Sequence, residues 1–254
     1  MSIDVNLTGF FLIFVRISTF VAVAPFFSYK QVPNQVKAGL SLFLAIIIFQ
    51  MSPEVSIEYQ TVLGYAILVV KEAVTGLTLG FFTNISYYIL AFAGQVIDME
   101  IGFSMVNELD PTSNIQTTIT GNFYSYVVIL MMLITNLHHH LIVAMVDTFK
   151  VIPLGSSGMS MGIYEVLIAF MRDYFIIGFR IVLPFFAAIL IANVILGILI
   201  KVVPQLNMFV VGIQLKILIG LFMLFILVGT LPTISNFIFD EMLDMMRLAI
   251  EVLK

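Results

Sequence analysis

The residues able to do chemistry are few, and most lie inside apolar runs. Lys71 and Glu72 interrupt the run Val62–Ile97, Arg180 lies inside the run Tyr174–Ile200 ahead of Lys201, and Lys216 lies about two turns beyond Asn207. Charges at such depth are expensive and need partners, so one reading makes them an intramembrane proton or ion path. The plainer reading makes Glu72 a buried acid paired with Lys71 or with a neighbouring chain, and it is preferred here. Glu72, Gly76 and Gly80 fall at i, i+4 and i+8, on one helix face. The Gly76-x-x-x-Gly80 spacing admits a second helix at close range, so this face is assigned to helix packing and partner contact.

His138, His139 and His140 are consecutive. Consecutive helical side chains point about 100° apart, so the three do not converge on one metal. A place at a membrane edge suits them better. Gly155-Ser156-Ser157-Gly158 resembles the G-x-S-G of rhomboid-type intramembrane proteases, but every histidine precedes it and none follows to act as base. With no Cys in the chain there is no thiolate nucleophile, thiolate metal site or disulfide framework. The sequence therefore predicts no catalytic, metal or cofactor site.

Asp98 to Gly121 is the main polar interruption. It holds Asp98, Glu100, Glu108 and Asp110 without one Lys or Arg, and Asp110-Pro111 signals a turn. A solvated loop explains this composition. So does a plug inside a pore, where irregular backbone is tolerated because it lines a cavity away from lipid. Gly102 permits a tight backbone, and Phe103, Met105 and Val106 supply an apolar seal.

The elements that must position these groups read as helices. The chain of 254 residues is 61% hydrophobic and only 10% charged, with a mean hydropathy of +1.13. Soluble domains are nearer a quarter charged, so this reads as a membrane or membrane-complex protein. A net charge of −4 without a basic cluster argues against nucleic acid as a partner. Fifteen Met and twenty-four Phe supply adaptable apolar packing. Asp4 ahead of the first apolar run and Arg16 within it speak against a signal peptide, so Leu7–Phe27 reads as a retained helix.

Further runs follow at Ala38–Met51, Val62–Ile97, Asn122–Val146, Tyr174–Ile200 and Met208–Leu231. A bilayer core of about 30 Å takes about 20 residues of helix. The second run is short of that. The stretches 59–98 and 162–201 are about twice as long as needed, though Pro184 could kink the later one. Lys30, Lys37 and Lys201 fall on one side of a six-span topology and Lys150, Arg172, Arg247 and Lys254 on the other, a near-even split that sets no orientation. Such lengths suit helices that bend, protrude or pack on other subunits.

The stretch Arg180–Lys216 reads as a helical hairpin. Pro204 ends its first helix, Gln205 and Asn207 satisfy freed backbone groups, and Ala188, Ala192 and Gly197 leave room for another backbone. Lys30-Gln-Val-Pro33 echoes Lys201-Val-Val-Pro204, an echo short enough to be shared turn chemistry. From Ser235 the tail is amphipathic: Asp240, Asp244, Arg247, Glu251 and Lys254 oppose Ile238, Met242, Met245, Ala249 and Val252. Such a helix docks on a partner or lies on the membrane surface.

Five blocks in order resemble the FliR family of flagellar export proteins, which includes the SctT proteins of injectisomes. Pro204-Gln-Leu-Asn207-Met-Phe-Val-Val-Gly212 is similar to the family's PQLNxFxxG, with Asn193 and Gly197 upstream in its N-x-x-x-G. Gly94-Gln-Val-Ile97, then Gly102-Phe103 and Asp110-Pro111, resemble its GQxI…GxxF…DP block. Asp147-Thr-Phe149 with Ile152-Pro153-Leu-Gly155 resembles its DTF…PLG segment, and Arg16, Pro25-Phe26 and Pro33 its opening hairpin. Two positions depart: Leu137 replaces a Gly after Asn136, and Gln214 replaces a Pro.

The resemblance implies an all-α membrane protein in which a FliP-like part (1–160, with a plug loop at 101–116) precedes a FliQ-like hairpin (161–232) and an amphipathic helix (233–254). It implies a non-enzymatic, cofactor-free subunit of an export gate in the bacterial inner membrane, at the flagellar basal body. FliP-like and FliQ-like subunits and an FlhB-like subunit would be its partners, and unfolded proteins its cargo. Asn193, Gly197, Pro204, Gln205, Asn207, Gly212 and Lys216 would then join Glu72, Gly76 and Gly80 as contact residues. A stand-alone transporter or channel using the intramembrane charges is the alternative. The blocks favour flagellar over injectisome use.

Overall fold

The computed structural model describes residues 2–51, 61–104, 118–156, 158, 162–205 and 207–254. Of the proposed plug, Met105, Val106, Asp110 and Pro111 lie outside the described residues. The described residues form helices in the order α1 (Ser2–Val23), α2 (Asn34–Met51), α3 (Val62–Ile101), α4 (Ile119–Ile134), α5 (Leu137–Val151), α6 (Ile163–Val202) and α7 (Met208–Leu227). A 3₁₀ turn at Val228–Thr230 then leads into α8 (Leu231–Leu253). Four stretches of described helix are long and apolar enough to cross a membrane, or five if α4 and α5 form one bent span.

Two expectations about the runs change. The run 38–51 belongs to an 18-residue helix that starts at Asn34, because the Pro33 carbonyl accepts the N–H groups of Val36 and Lys37 and so opens the helix ahead of the apolar residues. The run 122–146 is not one segment: Asn136 sits at φ 57°, ψ 21° and separates α4 from α5. Asparagine tolerates this left-handed region better than other side-chain-bearing residues, which is why the chain turns here in the middle of apolar sequence. By contrast α3 is a single helix of 40 residues, roughly 60 Å long, and α6 is continuous over the same number of residues with Pro184 inside it.

Helix ends follow local chemistry. Thr61 caps α3, its hydroxyl accepting the Gly64 N–H at 3.1 Å. Gly102 ends α3 at φ +99°, its N–H returning to the Asp98 carbonyl at 3.0 Å. After α1, Phe26 holds φ 70°, a strained setting for an aromatic residue in the turn leading to Pro33.

The chain forms two compact units from interleaved stretches. The first comprises 1–87, 133–170 and 238–254, and the second comprises 88–132 and 171–237. These units follow compactness, whereas the sequential division at 160 and 232 concerns likeness to other subunits, so the two divisions do not coincide.

In the first unit α1 and α2 form an antiparallel hairpin, with Phe10 edge-on to Phe49 at 5.7 Å. Leu12, Ile17 and Phe20 of α1 are fully buried, as are Leu79 of α3 and Leu141 of α5. Ile238, Met242, Met245 and Ala249 of α8 are buried too, while Asp240, Asp244, Arg247 and Glu251 stay exposed. The apolar stripe of the tail is therefore covered by this unit itself, and not left over for a membrane surface or a partner. In the second unit Ile89, Ala93 and Ile97 of α3, Val128 of α4 and Phe185 and Ile189 of α6 are buried. Elsewhere α6 and α7 are apolar and bare: Leu190, Ile191, Val194, Leu218 and Phe222 are all exposed.

Candidate functional site

The most constrained chemistry lies in the first unit, where α1 and α3 touch backbone to backbone. A side chain at Gly76 would overlap the Arg16 carbonyl and the Thr19 hydroxyl. A Cβ at Gly80 would sit 3.0 Å from the Phe20 carbonyl. With Tyr65 donating to the Thr8 carbonyl at 3.1 Å, contacts advance in the same order along both helices, so α1 and α3 run parallel. The face that carries Glu72, Gly76 and Gly80 thus packs on α1 of the same chain.

That close approach brings Arg16 onto Glu72. Both side chains are fully buried. The Arg16 Nε donates to one Glu72 oxygen and Nη2 to the other at 3.0 Å, a two-pronged pair of the kind guanidinium geometry favours. Nη1 donates to the Ile152 carbonyl at 2.9 Å, and the guanidinium lies 4.5 Å from the centre of the Phe149 ring. Glu72 also accepts the Gly155 N–H at 2.7 Å. A buried ion pair survives only when its remaining donors and acceptors are met. Here two backbone groups of one segment, Ile152–Gly155, meet one on each partner.

The local fold of that segment follows. The Ile152 N–H closes the last turn of α5 on the Thr148 carbonyl at 2.8 Å, Pro153 stops the helix, and Gly155 turns the chain at φ +78°. A Cβ at Gly155 would stand 2.8 Å from the Leu68 side chain of α3. Lys71 reaches the Gly155 carbonyl at 3.4 Å. The Gly158 N–H donates to the Leu253 carbonyl of α8 at 3.3 Å. Ile152, Gly155 and Gly158 therefore strap α1, α3 and α8 together. The expected partner of Glu72 is corrected: it is Arg16, and Lys71 points instead at the strap. Ser156 donates to the Pro153 carbonyl at 2.8 Å and so belongs to the turn, while Ser157, the serine of the G-x-S-G reading, lies outside the described residues.

The second unit holds a clamp at the base of the acid-rich stretch. Asp98, 3% exposed, accepts the Thr120 N–H with both carboxylate oxygens, at 3.1 and 3.2 Å. It thereby caps α4, its negative charge facing the positive end of the helix dipole. Gly94 and Gly121 make this possible, since a side chain at Gly94 would overlap the Gly121 backbone. The ends of the stretch 99–119 are thus tied together. Gly102 lies just inside, and no described atom stands within 4 Å of where its Cβ would be, while Phe103 is half-buried.

The other proposed contact residues do not gather into one site. Asn193, Gly197, Pro204, Gln205 and Asn207 are exposed, and Gly212 is buried. Lys216 is half-buried and Arg180 exposed, and neither has a hydrogen bond or ion pair among the described residues. The rings of His138 and His139 lie 4.1 Å apart, while His140 faces Phe239 at 6.1 Å. Among the described residues no three His, Asp or Glu side chains converge on one point. Arg16 is the functional residue that the reading of chemistry passed over. Its signal was available: a lone Arg in an apolar helix demands a buried acid, and Glu72 is the one acid inside an apolar run.

Comparison with known proteins places this arrangement. Residues 7–242 match the family described as bacterial export proteins, family 1. The flagellar biosynthetic protein FliR of Bacillus subtilis (strain 168) is 32% identical over 245 residues, covering 94% of this chain and 93% of that protein. The FliR proteins of Escherichia coli (strain K12) and Aquifex aeolicus (strain VF5) are 26% and 24% identical, over 91% and 87% of this chain and 88% and 84% of their own lengths. With the match spanning nearly every described helix, the chain belongs to the bacterial export proteins, family 1.

Proposed function

We propose that this chain is a structural, non-enzymatic subunit of the flagellar type III export gate in the bacterial inner membrane. The observation that carries the reading is the end-to-end likeness to flagellar FliR proteins, which covers more than nine-tenths of both chains in the Bacillus subtilis case. The architecture supports it. Buried ionisable groups satisfy each other or the backbone, as Arg16 and Glu72 do, and hold helices together instead of facing a cavity. Meanwhile α6 and α7 present long apolar faces that carry Asn193, Gly197 and the unpaired Lys216. Those faces suit FliP-like and FliQ-like neighbours, with an FlhB-like subunit docking on the assembly, and Lys216 then meets an acidic partner group. The stretch 101–116, tied at its base by Asp98, serves as the plug that closes the pore to water and ions.

The test is genetic and biochemical together. Deleting the gene removes filament proteins from the medium and stops swimming, and a plasmid copy restores both. An affinity-tagged copy brings down stoichiometric FliP-like and FliQ-like subunits. Normal filament export in the deletion strain, or a tagged chain that purifies alone and moves a small solute in vesicles, overturns the proposal.

A further inference from the structure

The second unit contains a crevice whose donors find no acceptor among the described residues. Its volume is about 290 Å³, and Ile177, Pro184, Ile234 and Phe237 wall it. Arg180 of α6 and Tyr124 of α4 also line it. Among the described residues no carboxylate or carbonyl accepts from the Arg180 guanidinium. Tyr124 is 2% exposed, and its hydroxyl has no hydrogen bond among the described residues either. A buried tyrosine hydroxyl normally finds a partner, and one left alone is costly. The Thr230 hydroxyl, by contrast, donates to the Leu227 carbonyl at 2.7 Å and is occupied within the chain. The crevice thus offers two idle donors, one of them charged, and no acid is among the described residues that line it.

What covers the crevice follows from its surroundings. Ile176, Phe179 and Leu183, within about a turn of Arg180 on α6, are exposed. Large exposed apolar side chains continue along that helix from Tyr164 to Val202. The helix has 40 residues and a bilayer core takes about 20, so lipid covers at most about half of it, wherever a membrane lies. The remaining apolar surface is left for protein. A guanidinium shut away from water beneath a protein cover needs an anion, because a lone buried charge costs several kcal/mol. Charge complementarity makes that anion a carboxylate: it accepts on two oxygens, which matches a guanidinium fork and leaves room for a phenol donor.

We infer that this crevice receives one Asp or Glu side chain from a neighbouring subunit. Its carboxylate accepts from the Arg180 guanidinium and the Tyr124 hydroxyl, and the apolar residues beside it in the partner cover Ile234 and Phe237. The partner segment therefore carries a single acid in apolar sequence, the counterpart of Arg180 on α6. A free small anion satisfies the charge but leaves the apolar wall uncovered. The inference rests on the reading of the chain as a gate subunit and adds the chemistry of one contact.

The experiment uses the full chain, tagged and purified in mild detergent with its attached subunits. A photo-crosslinking amino acid at the exposed Thr233, which also borders the crevice, captures what lies over it, and mass spectrometry identifies the crosslinked peptide. That peptide is expected to hold an Asp or Glu among apolar residues. R180Q then speeds release of the crosslinked subunit after dilution by about thirtyfold, the lower end of what losing one half of a desolvated charge pair does. Y124F speeds release by a smaller factor, and R180K keeps most of the attachment. R180E combined with Lys in place of the captured acid restores attachment that either change alone removes. If R180Q lowers the level of the chain itself, this swap still decides, since only a direct pair is rescued by it. A captured peptide without an acid, crosslinks to lipid alone, R180Q with wild-type release, or a swap without rescue overturns the inference and leaves the gate reading standing. An acid that passes these tests on a protein unlike FliP and FliQ supports the crevice chemistry and counts against the gate reading instead.

Discussion

Replacing Glu72 by Ala tests the central strap most directly. The substitution removes the acceptor of two guanidinium hydrogen bonds and of the Gly155 N–H, and leaves Arg16 charged with no solvent access. Breaking a buried pair from one side costs about 3–5 kcal/mol, because the surviving charge has lost its counterion. That equals roughly two to four orders of magnitude in the folding equilibrium. The Ile152 carbonyl and the Phe149 ring remain to Arg16, so the lower part of the range is expected. The assay is twofold: steady-state level of the chain in membranes, and thermal unfolding of the purified chain with its attached subunits.

The reasoning also fixes what should and should not rescue the variant. Removing both charges, as in Arg16→Met with Glu72→Leu, restores much of the loss, since well-packed apolar replacements of a buried pair are often neutral. Swapping the charges, Arg16→Glu with Glu72→Arg, does not. It sets a carboxylate against the Ile152 carbonyl and a guanidinium against the Gly155 N–H, so two favourable contacts become repulsive. An E72A chain with wild-type level and melting temperature would refute the strap, and a fully rescued charge swap would refute the role given to the backbone groups.

Three further outcomes follow. Gly76→Leu forces α1 from α3 at the Arg16 backbone and lowers the membrane level of the chain even with excess FliP-like and FliQ-like subunits; overpacking of this kind costs ~1–3 kcal/mol, and a wild-type immunoblot would place that face elsewhere. Gly155→Ala combines a positive φ with a Cβ pressed on Leu68 and is expected to lower the melting temperature by a strain of ~1–3 kcal/mol, whereas Ser156→Ala, at the exposed neighbour, shifts it far less. Asp98→Ala unties Thr120 and weakens α4 by about 0.5–2 kcal/mol; cells carrying it assemble the gate yet leak small dyes, and a tight gate would detach Asp98 from closure of the pore.

Fold class was legible because it depends on composition and run length, which no tertiary contact alters. The amphipathic tail was legible too, since a stripe at steps of three and four survives whatever covers it. What covers it was not: the same stripe fits a lipid surface or the interior of its own unit, and the buried Ile238 and Met242 decide for the second. The Arg16–Glu72 pair was half legible. Each charge demanded a partner, but the neighbour in sequence, Lys71, was the wrong one, because adjacent helical residues point to different faces. Asp98 was counted with the acids of a polar stretch because a cap reaching across 22 residues leaves no local pattern. The break at Asn136 hid inside an apolar run, where hydropathy is blind to a single left-handed residue.

In lipid the hydrophobic effect does not press helices together, because the tails are as apolar as the side chains. Close packing and the satisfaction of polar groups decide instead which surfaces meet. Each unit reflects that logic. The first is held where glycines admit backbone contact and a charge pair is closed by two backbone groups of the strap, the Ile152 carbonyl and the Gly155 N–H. The second is held where Gly94 meets Gly121 and where Gly178 and Gly220 receive the side chains of Phe92 and Ile101. Apolar exposure on α6 and α7 cannot by itself tell a lipid face from a subunit face, since both are greasy. The polar residues on those helices can. Lys216 lies near the middle of the 20-residue α7, too deep for a headgroup to reach, and needs a protein acid.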